Sequence, residues 1–216
     1  MTRNQRAAKA VSALKEAYPD AVCSLAYRAP LQLLIATRLS AQCTDARVNL
    51  VTPALFVRFP DLDAFCAATP EEVGEYIRSC GLYKTKARDI CAMCRMLRDA
   101  YGGVVPDTVE ELTKLPGVGR KTANLIVGDI YGKPAVVTDT HCIRICGRLG
   151  LSSGKNPLQV EKQLREVLPQ QESNAFCHRL VLHGRAVCTA RSPKCAQCCM
   201  QAFCKSYPIE KEVSQT

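Results

Sequence analysis

The sequence has no long run of apolar residues. No stretch approaches the roughly 20 consecutive apolar residues that a membrane-spanning helix needs, so we expect no membrane partner. The N-terminal stretch Met1–Ala17 is amphipathic and carries Arg3, Arg6, Lys9 and Lys15, so it also lacks the apolar core of a signal peptide. These two absences predict a cytoplasmic protein.

The sequence also has little that would build a β-sheet. Extended candidates such as Ala135–Val137 are too short to form one, and neither a repeat period nor a low-complexity tract occurs. Elsewhere, apolar residues recur at helical spacing, and capping signals such as Thr108 with Glu111 mark helix starts. These patterns predict an all-α fold, with helices over residues 7–17, 31–39, 44–60, 86–100, 108–114, 120–131 and 156–168 and one more from Thr69-Pro70.

Acidic residues are too few to balance the basic ones. The chain has 29 Lys and Arg against 20 Asp and Glu, a formal net charge of +9. One interpretation is a solvated surface that keeps the protein soluble. The other is a polyanionic partner such as nucleic acid.

Cysteine is abundant, but a disulfide framework is missing. Most of the 14 cysteines lack regular spacing, and the expected compartment is reducing. Four are different, because Cys188, Cys195, Cys198 and Cys204 follow the pattern C-x6-C-x2-C-x5-C. Thiolates at this spacing can bind Zn²⁺ or an iron–sulfur cluster, and a third interpretation is surface thiols without metal. Cys199 is a second candidate beside Cys198, and the spacing favours Cys198.

A glycine-rich turn, Leu115-Pro116-Gly117-Val118-Gly119, separates two predicted helices. Pro116 ends the first helix, and Gly117 and Gly119 permit backbone angles that other residues resist. The turn leaves unpaired N–H groups at the start of the next helix, beside Arg120, where the helix dipole also favours an anion. A DNA phosphate fits this description, and the alternative is a plain corner between two helices.

Lys121 follows this turn directly and lies in the first turn of the predicted helix. A helix N-terminus and the neighbouring Arg120 both disfavour its positive charge. A lysine in this place is poorly suited to stability but well suited to act as a neutral amine nucleophile. The alternative is a lysine that only binds the phosphate.

A carboxylate follows in Val137-Thr138-Asp139-Thr140-His141. The helix from Lys121 to Tyr131 is about 16 Å long at ~1.5 Å per residue. Residues 132–138 span up to roughly 23–25 Å when extended, so the chain has the length to return Asp139 to Lys121. Asp139 has two interpretations, a catalytic carboxylate and the N-cap of a new helix, and one residue can serve as both.

The motifs, taken in order, resemble endonuclease III, a family of helix-hairpin-helix DNA glycosylases. The resemblance covers essentially the whole chain and rests on the four-cysteine loop together with Leu39–Gln42, Gly81–Tyr83, Leu115–Asn124 and Val137–His141. It implies a cytoplasmic, nucleoid-associated monomer that acts on double-stranded DNA containing damaged bases or abasic sites. The implied activity is that of a bifunctional DNA glycosylase and AP lyase of base excision repair, which removes oxidised pyrimidines through a lysine Schiff base and cuts 3′ to the abasic site by β-elimination.

The resemblance also implies roles for single residues. Lys121 falls on the Schiff-base lysine of the family and Asp139 on its catalytic aspartate. Gln42 and Leu82 fall on the residues that fill the gap left by a flipped nucleotide.

The four-cysteine loop, by the same resemblance, would bind one [4Fe–4S] cluster through Cys188, Cys195, Cys198 and Cys204. A loop stapled in this way would present Arg191 and Lys194 to DNA phosphate.

The implied architecture is two helical domains with a DNA-binding cleft between them. One would be a six-helix barrel over residues 23–133, with the helix-hairpin-helix at about 108–131. The other would be an iron–sulfur domain formed by residues 1–22 and 134–216, with its cluster loop at 188–204.

Two other functions remain open. A monofunctional adenine glycosylase of the same superfamily shares the cluster, but it usually has another residue in place of the lysine and an additional C-terminal domain. A non-catalytic, metal-containing DNA-binding protein would need neither Lys121 nor Asp139.

Overall fold

The computed structural model describes residues 1–208. This range contains eleven α-helices joined by coil and short 3-10 helices, and it contains no β-strand, so the predicted all-α fold is confirmed. No helix within residues 1–208 combines the length and apolar character needed to cross a bilayer. The helices are α1 (Arg3–Ala17), α2 (Pro30–Ser40), α3 (Asp45–Arg58), α4 (Leu62–Ala67), α5 (Pro70–Ile77), α6 (Tyr83–Tyr101), α7 (Val109–Leu112), α8 (Arg120–Asp129), α9 (Thr140–Leu149), α10 (Pro157–Arg165) and α11 (Ser173–Ala186).

The chain packs as two compact units. Residues 23–132 form one unit and contain α2 to α8. Residues 1–22 and the chain from Lys133 onward form the other, which contains α1 and α9 to α11. The assignment of the first unit to a barrel domain and of the second to a cluster domain stays a prediction.

The unit of residues 23–132 is built around α6. This helix packs against α4 and α5, while α2 packs against both α3 and α8. Its buried face includes Ala87, Ile90, Cys94 and Leu97, which recur at helical spacing. Each fully buried aliphatic side chain contributes roughly 1.5–3 kcal/mol, so packing of these faces holds the unit together.

The second unit has its own core around α11, which packs against α1 and α9. The face of α1 predicted to be apolar is largely confirmed, since Ala7, Ala10, Val11 and Leu14 are buried. Ala17 was expected on this face but is exposed at the last residue of α1.

Two of the predicted helix starts show how side chains cap a helix. Thr69 and Glu72 form the complete capping box that begins α5. Thr108 Oγ1 accepts a hydrogen bond from Glu111 N at 3.3 Å. The second bond of the predicted capping box, from Thr108 N to the Glu111 carboxylate, is absent. The Glu111 carboxylate instead accepts hydrogen bonds from Tyr101 Oη at 2.9 Å and Lys114 Nζ at 2.6 Å. The capping box predicted at Thr108 is therefore only half formed.

Candidate active site

The turn between α7 and α8 has the geometry that its sequence dictates. Val118 N donates to Leu115 O at 3.1 Å, and Gly117 has a φ of +74°. Proline second and a positive-φ glycine third are the marks of a type II β-turn. The N–H groups of Gly117 and Gly119 donate to no other group within residues 1–208. Two backbone donors therefore remain available to an anion at this turn.

Gly117 also lies against a partly buried ion pair. Arg38 of α2 donates to Asp89 Oδ2 of α6 through Nε at 2.9 Å and Nη2 at 2.6 Å. A Cβ at position 117 would stand 2.5 Å from Arg38 Nε and 2.9 Å from Asp89 Oδ2. Two features require a glycine at position 117: its positive φ, and the lack of space for a Cβ beside the ion pair.

Gly117→Ala is therefore expected to destabilise the protein by about 2 kcal/mol, through backbone strain and displacement of the ion pair. The midpoint of thermal unfolding should fall by about 4–8 °C. Gly119→Ala is the matched control, because Gly119 has a φ of −91° and a Cβ there would meet nothing within 4 Å. Equal melting temperatures for the two variants would contradict the assigned role of Gly117.

The N-terminus of α8 is open to solvent and uncapped. Gly119 is its N-cap and supplies no side chain, and the first turn contains no acidic residue. Most other helices of residues 1–208 have a Thr, Asp or Asn side chain in this place. An uncapped helix start with exposed N–H groups and a positive dipole end is suited to bind a phosphate.

Lys121 lies in this first turn, exposed and next to the exposed Arg120. Its amine forms no hydrogen bond or ion pair within residues 1–208. Lys15 and Lys114, in contrast, are each held by a glutamate at 2.5–2.6 Å. The amine of Lys121 is therefore accessible and uncommitted, as a nucleophile must be.

Asp139 is the N-cap of α9, in the other unit of the chain. Its Oδ1 accepts a hydrogen bond from Cys142 N at 2.7 Å, so the predicted capping role is present. Oδ2 accepts none within residues 1–208. Asp139 is partly exposed, whereas Cys142 and Cys146 on the inner face of α9 are buried. One carboxylate oxygen therefore fixes the side chain while the other remains free for chemistry.

Gln42 and Leu82 share an unusual backbone conformation. They are the two non-glycine residues of the described chain with positive φ, at 54° and 47°. Both residues are exposed, and the apolar Leu82 remains 61 % accessible. Such a conformation costs roughly 1–3 kcal/mol and persists only where the surrounding structure imposes it. Backbone strain at exposed residues is typical of positions that contact a ligand.

The four predicted ligand cysteines line one small, partly open pocket. Cys188, Cys195, Cys198 and Cys204 all face it, whereas Cys199 is exposed and does not. Burial, followed by repulsion from Cys199, Cys188 and Cys204, raises the pKa of Cys198 to about 11. Without a bound cation these thiols would stay protonated, because burial and mutual repulsion disfavour the thiolates. Binding of a metal displaces the thiol protons.

Four cysteine thiolates are a donor set used both by [4Fe–4S] clusters and by structural Zn²⁺ sites.

Two groups that the sequence reasoning missed contact the ligand cysteines. Tyr18 Oη lies 3.1 Å from Nδ1 of His183, whose Nε2 lies 3.4 Å from Cys198 Sγ. If Tyr18 Oη donates its hydrogen to Nδ1, the ring proton of His183 lies on Nε2 and can be donated to the Cys198 sulfur. Arg148 Nη1 donates to Cys188 Sγ at 3.3 Å. Donors of this kind stabilise thiolates, and a histidine five residues before the first cysteine was the available signal.

The loop between Cys188 and Cys195 is fixed at its base. Arg148 donates to Thr189 O at 2.7 Å and to Ala190 O at 2.8 Å, and Lys194 N donates to Val187 O at 2.9 Å. Arg191 and the Lys194 side chain are both exposed on this loop.

Two family models match the chain. Residues 35–170 match the model of the HhH-GPD superfamily base excision DNA repair protein. Residues 188–204 match the iron-sulfur binding domain of endonuclease III.

Proteins of similar sequence and structure are named endonuclease III. Endonuclease III of Synechocystis sp. is 46% identical over 206 residues, which cover 95% of this chain and 94% of that protein. Endonuclease III of Bacillus subtilis is 43% identical over 189 residues, covering 87% and 86%. A solved structure of a trapped endonuclease III–DNA covalent intermediate has a TM-score of 0.89 at 44% identity, covering 95% of this chain and 97% of that one. The fold is that of the HhH-GPD superfamily. Within it, this chain belongs to the endonuclease III family.

The cofactor of this chain is a [4Fe–4S] cluster, and the residues present fit it. We therefore expect purified protein to be brown and to contain about four irons per chain. Cys198→Ser is expected to lose most of this iron, because it removes one of the four thiols that face the pocket. Cys199→Ser is the matched control and should retain it. Iron analysis and visible absorbance check both variants. Colourless protein with one zinc would refute the cluster, and iron loss in the control alone would transfer the ligand role to Cys199.

Proposed function

We propose that this protein removes oxidised pyrimidines from duplex DNA with Lys121 as the covalent nucleophile and then cuts the strand 3′ to the abasic site. The observation that carries this assignment is the exposed, unpaired amine of Lys121 in the uncapped first turn of α8. The family of the chain makes it a bifunctional DNA glycosylase and AP lyase of base excision repair.

The first step is extrusion of the damaged nucleotide, because a stacked base hides its sugar C1′. Extrusion costs a few kcal/mol and is easiest for a damaged or mispaired base. Gln42 donates and accepts hydrogen bonds toward the orphaned partner base, and Leu82 fills the gap as an apolar wedge. The backbone N–H groups of Gly117 and Gly119, together with Arg120, hold a nearby phosphate.

The second step replaces the base with the enzyme. The neutral amine of Lys121 attacks C1′, the bond from C1′ to the base breaks, and the base leaves with the electron pair. Positive charge develops on the sugar in the transition state. The free carboxylate oxygen of Asp139 stabilises that charge, and it also accepts the proton that the amine loses.

The third step cuts the strand. Opening of the sugar ring leaves an imine between C1′ and Lys121, which makes the C2′ proton acidic. Water accepts that proton, the electron pair of the C–H bond forms a C2′–C3′ double bond, and the C3′–O bond breaks with the phosphate as leaving group. Water then hydrolyses the imine and frees Lys121.

The cluster takes no part in these steps in our proposal. It supplies a rigid four-point staple for the loop that contains Arg191 and Lys194. Both side chains are exposed on a loop whose base is fixed by Arg148, which supports the proposal that they contact phosphate.

Arg191→Ala and Lys194→Ala are expected to retain the colour of the cluster and to bind every duplex more weakly. Each should reduce the slope of log K against log salt by up to about one unit, because each removes one phosphate contact. Lys155→Ala is the matched control, since it removes one exposed positive charge from the same unit outside the loop. Loop variants that bind as tightly as the wild type at every salt concentration would leave the loop a structural staple only.

The proposed function is tested with three duplexes of one sequence. They contain an oxidised pyrimidine, an adenine opposite oxidised guanine, or no lesion. We expect base release and strand cleavage only with the first. Release of adenine without cleavage would identify the monofunctional alternative, and binding without release from any duplex would identify a non-catalytic DNA-binding protein. The monomeric state and the cytoplasmic location stay predictions, and the net charge of +9 supports only the association with nucleic acid.

A further inference from the structure

A lysine is buried in the core of the unit that contains Gln42 and Leu82. Lys86 of α6 is 0% exposed, yet within residues 1–208 no carboxylate pairs with its ammonium. The ammonium donates to Leu39 O at 2.7 Å and to Cys80 O at 2.6 Å. Burial lowers the pKa of Lys86. A buried charge is costly even when it is hydrogen-bonded, so a methionine-like side chain would serve the core better.

Both acceptors lie where helical segments end. Leu39 is in the last turn of α2, and Cys80 is the last residue of the 3-10 helix Arg78–Cys80. Carbonyl groups at such ends lack intrahelical partners and form the negative end of the helix dipole. One ammonium thereby joins the ends of two segments that are 41 positions apart in the chain. The thiols of Cys43 and Cys80 lie beside it and contact each other.

The two residues with positive φ, Gln42 and Leu82, lie a few positions after these carbonyls in the chain. Gln42 is three residues beyond Leu39, and Leu82 is two residues beyond Cys80. Lys86 also contacts the second segment through its backbone, because Lys86 N donates to Leu82 O at 3.0 Å. The segment from Cys80 to Leu82 is therefore held at both ends by the same residue. The strain at Gln42 and Leu82 requires such a restraint from the surroundings.

We propose that Lys86 is the positioning residue that holds Gln42 and Leu82 at a fixed spacing, so that both enter the gap in the duplex together. This inference rests on the proposed role of those two side chains. Lys86 itself touches no DNA. Lys86 fixes the positions of the two loops before DNA binds. Binding then does not lose the conformational entropy of ordering them.

The proposal is tested by a mutant cycle on the holoenzyme. Affinities are measured for a duplex with a tetrahydrofuran abasic site and for the same duplex without it. Lys86→Met removes the charge and keeps most of the side-chain volume. It should reduce the preference for the abasic duplex about tenfold, a size common for residues of one network. Lys84→Met, an exposed lysine on the same helix, should leave the preference unchanged.

The decisive readout is the same substitution in a background with Gln42→Ala and Leu82→Ala. There Lys86→Met should change the preference by less than about twofold, because the side chains that it positions are absent. An undiminished effect in that background would overturn the proposal. If the background itself prefers the abasic duplex as strongly as the wild type does, the assumed role of Gln42 and Leu82 fails, which is a separate result.

Folding is controlled with iron content and the melting temperature. If Lys86→Met does not fold, Lys86→Gln, which keeps a donor for one of the two carbonyls, is put through the same cycle. Failure of both variants to fold would assign Lys86 to core stability and overturn the positioning role.

Discussion

Lys121→Gln is expected to bind lesion-bearing duplex normally and to leave its strand uncut. The substitution keeps a polar, hydrogen-bonding side chain, somewhat shorter than lysine, but removes the amine that forms the covalent bond. Loss of a nucleophile commonly costs several orders of magnitude, so strand cleavage should fall by roughly 10³-fold or more. Single-turnover cleavage with saturating enzyme measures the chemical step apart from binding.

Lys114→Gln is the matched control for this variant. Lys114 is an exposed lysine of the same hairpin, paired with Glu111 at 2.6 Å, and it has no assigned role in the reaction. The control should cut at a rate within a few-fold of the wild type, since a surface ion pair contributes roughly 0–1 kcal/mol. Undiminished cleavage by Lys121→Gln would remove Lys121 from the mechanism and return it to the role of a phosphate ligand.

Asp139→Asn is expected to separate chemistry from folding. Asparagine caps a helix as well as aspartate does, so the hydrogen bond to Cys142 N and the melting temperature should be retained. The negative charge is lost, and with it the stabilisation of positive charge at the sugar. Base excision should fall by roughly 10²–10⁴-fold.

Two further variants isolate the cap from the charge. Asp139→Ala loses both, so it should be as inactive as Asp139→Asn and also less stable by about 1 kcal/mol. Asp61→Asn alters a different N-cap aspartate, whose Oδ1 accepts from Ala64 N at 2.9 Å, and should change neither property. A large stability loss with normal activity in Asp139→Asn would leave Asp139 as a cap only.

Helix starts with a capping residue followed by proline were well predicted, because they have a local chemical cause. Thr69 and Asn156 predicted the beginnings of α5 and α10 in this way. Where this signal is missing, the starts expected at residues 7 and 86 came too late, since α1 begins at Arg3 and α6 at Tyr83. Helix ends were less predictable. The helix expected to reach residue 168 stops at Arg165, and the one expected to reach 131 stops at Asp129. Ends depend on tertiary packing, which a local pattern does not contain.

The candidate site was predictable where a residue type stands out against its local pattern. Lys121 is conspicuous because a cation is misplaced at a helix start, and Asp139 because it precedes a helix. The positive φ values of Gln42 and Leu82 were not predictable from the residues, since any other residue than glycine normally avoids them. Only the resemblance to endonuclease III selected those two.

Lys86 shows a signal that was present but unused. It lies on the stripe of α6 formed by Ala87, Ile90, Cys94 and Leu97, all of which are buried. A lysine on an apolar stripe indicates either a side chain that reaches solvent or a buried ammonium with acceptors. The choice between them depends on the carbonyls of Leu39 and Cys80, which are distant in sequence.

The most direct test of the central claim is to trap and locate the covalent bond. Holoenzyme is incubated with a duplex containing an oxidised pyrimidine in the presence of borohydride, which reduces the imine to a stable amine, and the adduct is then digested and mapped by mass spectrometry. We predict one DNA adduct per chain, on the peptide that contains Lys121, and no adduct with Lys121→Gln. An adduct on another residue, or normal strand cleavage with no adduct at all, would contradict the assignment of Lys121 as the nucleophile.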